Sequence, residues 1–73
     1  MATLEVKSEV IGTVWKVEMT PGDDVTAGDV IMILESMKME IPVEAPEDGR
    51  LAAIVVAPDD SVDEEQVLCT IET

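Results

Sequence analysis

Leu4 and Val6 alternate with Glu5 and Lys7, and Ile41, Val43 and Ala45 alternate with Pro42 and Glu44. A period of two is that of a strand with one face buried. In two places the phase slips: Val14 and Val17 are three apart, as are Leu51 and Ile54, where strict alternation requires two or four. One extra residue in a strand produces such a slip, so a β-bulge is expected at each place. Pro21-Gly22-Asp23, Ala27-Gly28-Asp29 and Pro46-Glu47-Asp48-Gly49 are turns by composition. No segment sustains a helical period over ten residues. The pattern therefore predicts about eight short strands in two sheets, an all-β sandwich or flattened barrel.

The chain also matches itself at an offset of 37 positions without a gap: Gly12 falls on Gly49, Pro21 on Pro58, Asp23 on Asp60, Val25 on Val62, Val30 on Val67 and Glu35 on Glu72. Val14 with Leu51, Val17 with Ile54, Ile31 with Leu68 and Leu34 with Ile71 are conservative matches between them. Two copies of one unit around an approximate two-fold axis are expected, Ala2 to Ser36 and Met39 to Thr73. Only Met37 and Lys38 lie between the copies, which places them at a hairpin tip on or near the axis, with both termini towards the other end. A two-residue hairpin needs positive φ and prefers Asn-Gly or Asp-Gly, so Met-Lys there breaks a local rule. Violations of that kind concentrate at functional sites.

Composition removes whole classes of function. Seventeen acidic residues oppose four basic ones, Lys7, Lys16, Lys38 and Arg50, for a formal charge of -13. Such a surface repels nucleic acid and anionic membranes, and with Trp15 the sole aromatic residue there is no base-stacking platform. The absence of histidine removes the usual general base and the commonest metal ligand. The longest apolar run, Val30-Ile31-Met32-Ile33-Leu34, is far shorter than a membrane span. The single Cys69 cannot close an internal disulfide, which fits a reducing cytoplasm. A chain of 73 residues is expected to form one domain, 1–73, with little room for a deep catalytic cleft.

Glu35-Ser36-Met37-Lys38-Met39-Glu40 resembles the attachment motif of the biotinyl/lipoyl attachment domain family, of the biotin carboxyl carrier type, in which the modified lysine stands between two methionines. The resemblance runs through Gly12-Thr13-Val14, the turns Pro21-Gly22-Asp23 and Ala27-Gly28-Asp29, and Ala45-Pro46 with Gly49. It implies a flattened barrel of two four-stranded antiparallel sheets with the lysine on a type I′ hairpin. It further implies that Lys38 carries biotin, and that Met37, Met39 and Glu35 form the recognition motif of a biotin protein ligase. The ligase would activate biotin as an acyl-adenylate for the lysine amine to attack. The implied partners are biotin carboxylase and carboxyltransferase components, the implied role is non-catalytic, and the isolated domain is expected to be a monomer. Lipoate is the alternative cofactor on the same fold, but its lysine usually follows Asp and precedes Ala, where this chain has Met37 and Met39.

The chain departs from the family pattern in the second copy, where Asp59 and Glu65 replace turn glycines. Those turns are expected to use conformations open to ordinary residues. No insertion that would form a protruding thumb and no Ala/Pro-rich linker is present, and the methionine start favours a free-standing protein. Trp15, the counterpart of Ala52, is expected to pack partly exposed beside the bulge, and Cys69, the counterpart of Met32, to sit in the core. The acidic stretch 59–65 lacks the glycine and the closing bidentate acid of a calcium loop and reads as solvated surface.

Overall fold

The computed structural model describes residues 2–73. Eight strands follow in order: β1 (Thr3–Lys7), β2 (Gly12–Val17), β3 (Asp24–Val25), β4 (Val30–Ser36), β5 (Met39–Glu44), β6 (Gly49–Ile54), β7 (Ser61–Val62) and β8 (Val67–Glu72). They form two four-stranded antiparallel sheets of order β1-β8-β6-β3 and β5-β4-β2-β7. Each sheet takes two strands from each copy. Neither copy therefore completes a sheet without the other.

Both expected bulges are present. The register between β2 and β4 shifts between Val14 and Lys16, and that between β6 and β8 between Leu51 and Ala53, which makes Trp15 and Ala52 the extra residues. A further shift in β4, between Val30 and Met32, explains why the consecutive residues Ile31 and Met32 are both buried. Their counterparts Leu68 and Cys69 are buried in the same way. With Val14, Leu34, Leu51, Val62 and Ile71 these side chains fill the space between the sheets.

The turns of each copy are tied to the other copy. Gly22 donates its N–H to the Leu51 carbonyl and Asp59 to the Val14 carbonyl, both at 2.7 Å. Gly28 and Glu65 do the same to Ala45 and Ser8, at 2.8 and 2.7 Å. Asp23 and Asp60 accept from Thr20 and Ala57 within their turns, each at 2.9 Å. The structure corrects the expectation for the second copy. Asp59 and Glu65 adopt φ of 75° and 65°, on the same side of the backbone map as Gly22 and Gly28 at 100° and 94°. The hydrogen bonds to the facing copy hold the turn shape even where the glycine is gone.

A second correction concerns the axis. The pairs Leu34↔Ile41 and Glu35↔Glu40 have as counterparts Ile71↔Leu4 and Glu72↔Thr3. The two-fold thus maps the Met37-Lys38 tip onto the paired chain ends, where Thr73 donates to Ala2 at 2.9 Å. Two places that exchange under the rotation lie off the axis. The axis instead passes through a groove of about 350 Å³ between the edge strands β1 and β5, lined by Val6 and its counterpart Val43 and by Lys7 and its counterpart Glu44.

Candidate functional site

The hairpin joining β4 to β5 closes on the pair Ser36↔Met39, leaving Met37 and Lys38 as its two central residues. Their φ values of 52° and 65° are those of a type I′ turn, whose twist matches that of the flanking strands. A non-glycine residue in this region carries a strain of about 1–2 kcal/mol. The tip holds two in succession.

Support comes from the strand beneath. Ser36 Oγ donates to the Ile11 carbonyl at 2.8 Å, fastening the end of β4 to the start of β2. Gly12 lies against the same turn of chain: a Cβ there would strike the Glu35 carbonyl oxygen and come within 3.3 Å of Ser36 Cβ. The backbones can approach this closely only because position 12 has no side chain. In the sequence Gly12 stands out as a repeat landmark and as part of Gly12-Thr13-Val14, and its contact with Ser36 depends on strand register between distant residues.

The motif residues divide between the two faces of the hairpin. Leu34 points into the core, so Glu35 points outward, opposite Glu40 and Thr13 on the neighbouring strands. Met39 shares the other side with Ser36 and the half-buried Ile41. Met37 is 90% exposed and Met39 60% exposed, while Lys38 is exposed beside them. Among the described residues Lys38 makes no side-chain hydrogen bond and no ion pair; the ion pair present is Lys16–Glu18, 3.2 Å. Its amine is available as a nucleophile once deprotonated. The groove on the axis does not include Lys38 among its lining residues.

The other candidates fall elsewhere. Trp15 is 49% exposed at the bulge on the outer side of β2. Cys69 is fully buried, and burial pushes its thiol up to about 11, which makes it a poor nucleophile. The stretch 59–65 runs through the turn and β7, and among the described residues no group of three or more potential ligands is placed to hold a metal ion.

The family described as "Biotin-requiring enzyme" matches residues 3–73. A protein of Mycobacterium leprae named as a homolog of biotinylated protein TB7.3 is 36% identical over 67 residues, which are 92% of this chain and 94% of that protein. The biotin/lipoyl attachment protein of Bacillus subtilis is 38% identical over 65 residues, 89% of both chains. The crystal structure of the Kluyveromyces lactis urea carboxylase superposes with a TM-score of 0.93 at 32% identity, covering 99% of this chain and 6% of that one.

Proposed function

The chain belongs to the biotin/lipoyl attachment family of biotin-requiring enzymes, as a non-catalytic carrier domain, and from this we propose that Lys38 is its point of biotin attachment. In the same reading residues 1–73 form one attachment domain, and the loaded tip serves biotin carboxylase and carboxyltransferase sites in turn. A reducing, cytoplasmic setting belongs to it as well, supported by the buried, unpaired Cys69.

The observation that carries the reading is the tip itself. A lysine amine without a side-chain partner among the described residues stands on a strained type I′ turn. That turn is braced by Ser36 and by the close approach at Gly12. The brace fixes where the amine is presented while leaving its four-carbon stem free. Attack of the neutral amine on the carbonyl of an acyl-adenylate forms the amide and expels AMP, and the amine proton is lost to solvent or to the ligase. Biotin, once attached, supplies the chemistry of accepting and releasing carboxylate. The chain's own part is to hold the attachment point at an exposed tip and to keep the carried group at high local concentration between sites.

The test is incubation with a biotin protein ligase, biotin and ATP, followed by intact mass and peptide mapping. One biotin amide on Lys38, and none in Lys38→Arg, is the expected result. Modification at Lys7 or Lys16 refutes the assignment, and a chain that accepts lipoate from a lipoate ligase but not biotin moves it to the other branch of the family.

A further inference from the structure

The internal two-fold gives every outward position on one sheet a counterpart on the other, and the two outer faces differ in kind. On the sheet that carries the tip, the register pairs Lys16 with Ile33 and Ile33 with Pro42, and the bulge sets Trp15 beside Lys16. Met32 and Leu34 are buried, so Ile33 between them faces outward. This makes an outer apolar row, Trp15–Ile33–Pro42, with Trp15 49% exposed and Pro42 exposed. The counterpart row on the other sheet is Ala52, Thr70 and Glu5. Ala52 occupies an equivalent bulge and Thr70 an equivalent strand centre. The fold therefore does not demand Trp15 or Ile33 in their places.

Charge differs in the same way. The outward positions flanking the apolar row are Glu35, Glu40 and Glu44, whereas their counterparts are Glu72, Thr3 and Lys7. Lys16, within the row, is paired to Glu18 at 3.2 Å, and no ion pair to the three glutamates is present among the described residues. A second copy of this chain is a poor occupant, because it would bring another charge of -13 against those carboxylates. Aromatic and aliphatic groups at the centre of a charged rim are the anatomy of a protein interface, and here the rim is of one sign.

We propose that this outer face, centred on Trp15, Ile33 and Pro42 and rimmed by Glu35, Glu40 and Glu44, docks onto a protein surface with an apolar patch bordered by Lys and Arg. The partner is the biotin carboxylase component that acts on the loaded tip, and to that extent the inference rests on the carrier reading. Ile33 lies three residues before the end of β4 at Ser36, about 10 Å along the strand, with the Met37-Lys38 tip beyond it. The residues assigned to ligase recognition, Met37, Met39 and Glu35, lie at the tip end of the hairpin, whereas Trp15 and Ile33 lie further down the sheet. A carboxylase must hold the body of the carrier while a long arm explores its site.

The counterpart residues supply the variants. Trp15→Ala/Ile33→Thr installs the apolar-row residues of the opposite sheet, and Glu44→Lys installs the rim charge found at Lys7. Parent and variants are loaded with biotin, loading is verified by intact mass, and each is titrated as substrate of a biotin carboxylase with bicarbonate and ATP. The expected result is a KM raised about tenfold or more for the double variant with kcat and the ligase KM both held within about twofold. Glu44→Lys, a surface change that leaves the core untouched, should raise KM at ~50 mM salt and lose that effect by ~300 mM. An unchanged carboxylase KM, or an equal rise with the ligase, overturns the proposal. A parent that takes no biotin defeats the carrier reading instead. Docking is then read from the unloaded chain labelled with 5-fluorotryptophan at its sole tryptophan, mixed with the same biotin carboxylase. Broadening of the fluorine resonance supports the face, and an unchanged line overturns it.

Discussion

Replacing Glu65 by glycine should stabilise the protein. Glu65 holds a φ of 65° because its N–H is fixed to the Ser8 carbonyl at 2.7 Å and the next residue, Gln66, donates back to Asp63 at 3.1 Å. A side chain with a Cβ in this region carries about 1–2 kcal/mol of strain. Glycine relieves that strain but gives the unfolded chain more freedom, an opposing term of about 0.4–1 kcal/mol. The difference leaves a gain of roughly 0.5–1 kcal/mol, which in a domain of this size raises Tm by about 2–8 °C. The internal repeat supplies the reverse experiment. Gly28 holds the counterpart position at φ 94°, and a Cβ built there meets nothing within 4 Å. Gly28→Ala therefore isolates backbone strain from crowding and should lower stability by a similar amount. Thermal and urea unfolding followed by circular dichroism measure both, with the urea slope checked for constancy so that midpoint shifts report stability. A Glu65→Gly protein that melts lower than the parent would refute the argument, and more firmly still if Gly28→Ala melts higher.

Exchanging the tip residues, Met37→Lys/Lys38→Met, moves the amine to a neighbouring position that projects differently. Biotinylation should slow by about a hundredfold while stability changes by no more than about 0.5 kcal/mol; an equal initial rate would show that the ligase tolerates either position. Gly12→Ala and Gly49→Ala are counterparts whose new Cβ atoms strike the carbonyls of Glu35 and Glu72. Each should lose about 1–3 kcal/mol in urea unfolding, but only Gly12→Ala displaces the base of the tip and slows the ligase below what its folded fraction explains. For Cys69, the unfolded thiol ionises near 9.0 and the folded one near about 11, so its contribution to stability is whole below pH 9 and is lost as pH rises through 11. That loss amounts to about 2–3 kcal/mol, and a Cys69→Ala protein whose stability falls as steeply between pH 8 and pH 11 would count against it.

How far the sequence carries a reader depends on which interactions are local. The spacing of Val14 and Val17 announces the bulge at Trp15, because a phase slip in an apolar pattern is a property of neighbouring residues. The offset of the repeat likewise isolates Met37 and Lys38, and the match of Cys69 to Met32 predicts its burial. The left-handed turns at Asp59 and Glu65 could not be read that way. Their conformation is imposed by carbonyls of Val14 and Ser8, about fifty residues away in sequence, and no local preference records that force. The mixing of copies within each sheet, the tip's place off the axis and the outer row of Trp15, Ile33 and Pro42 are all matters of register between distant strands.

The pairing of Ala2 with Thr73 has a consequence for engineering. It is the counterpart of Met39 with Ser36, so the chain ends stand where a second hairpin would close. A two-residue linker joining Thr73 to Ala2 would have the same reach as Met37-Lys38. Head-to-tail ligation by that route would make a covalent ring with no free ends. With Lys as the second linker residue the ring would present two amines on equivalent turns.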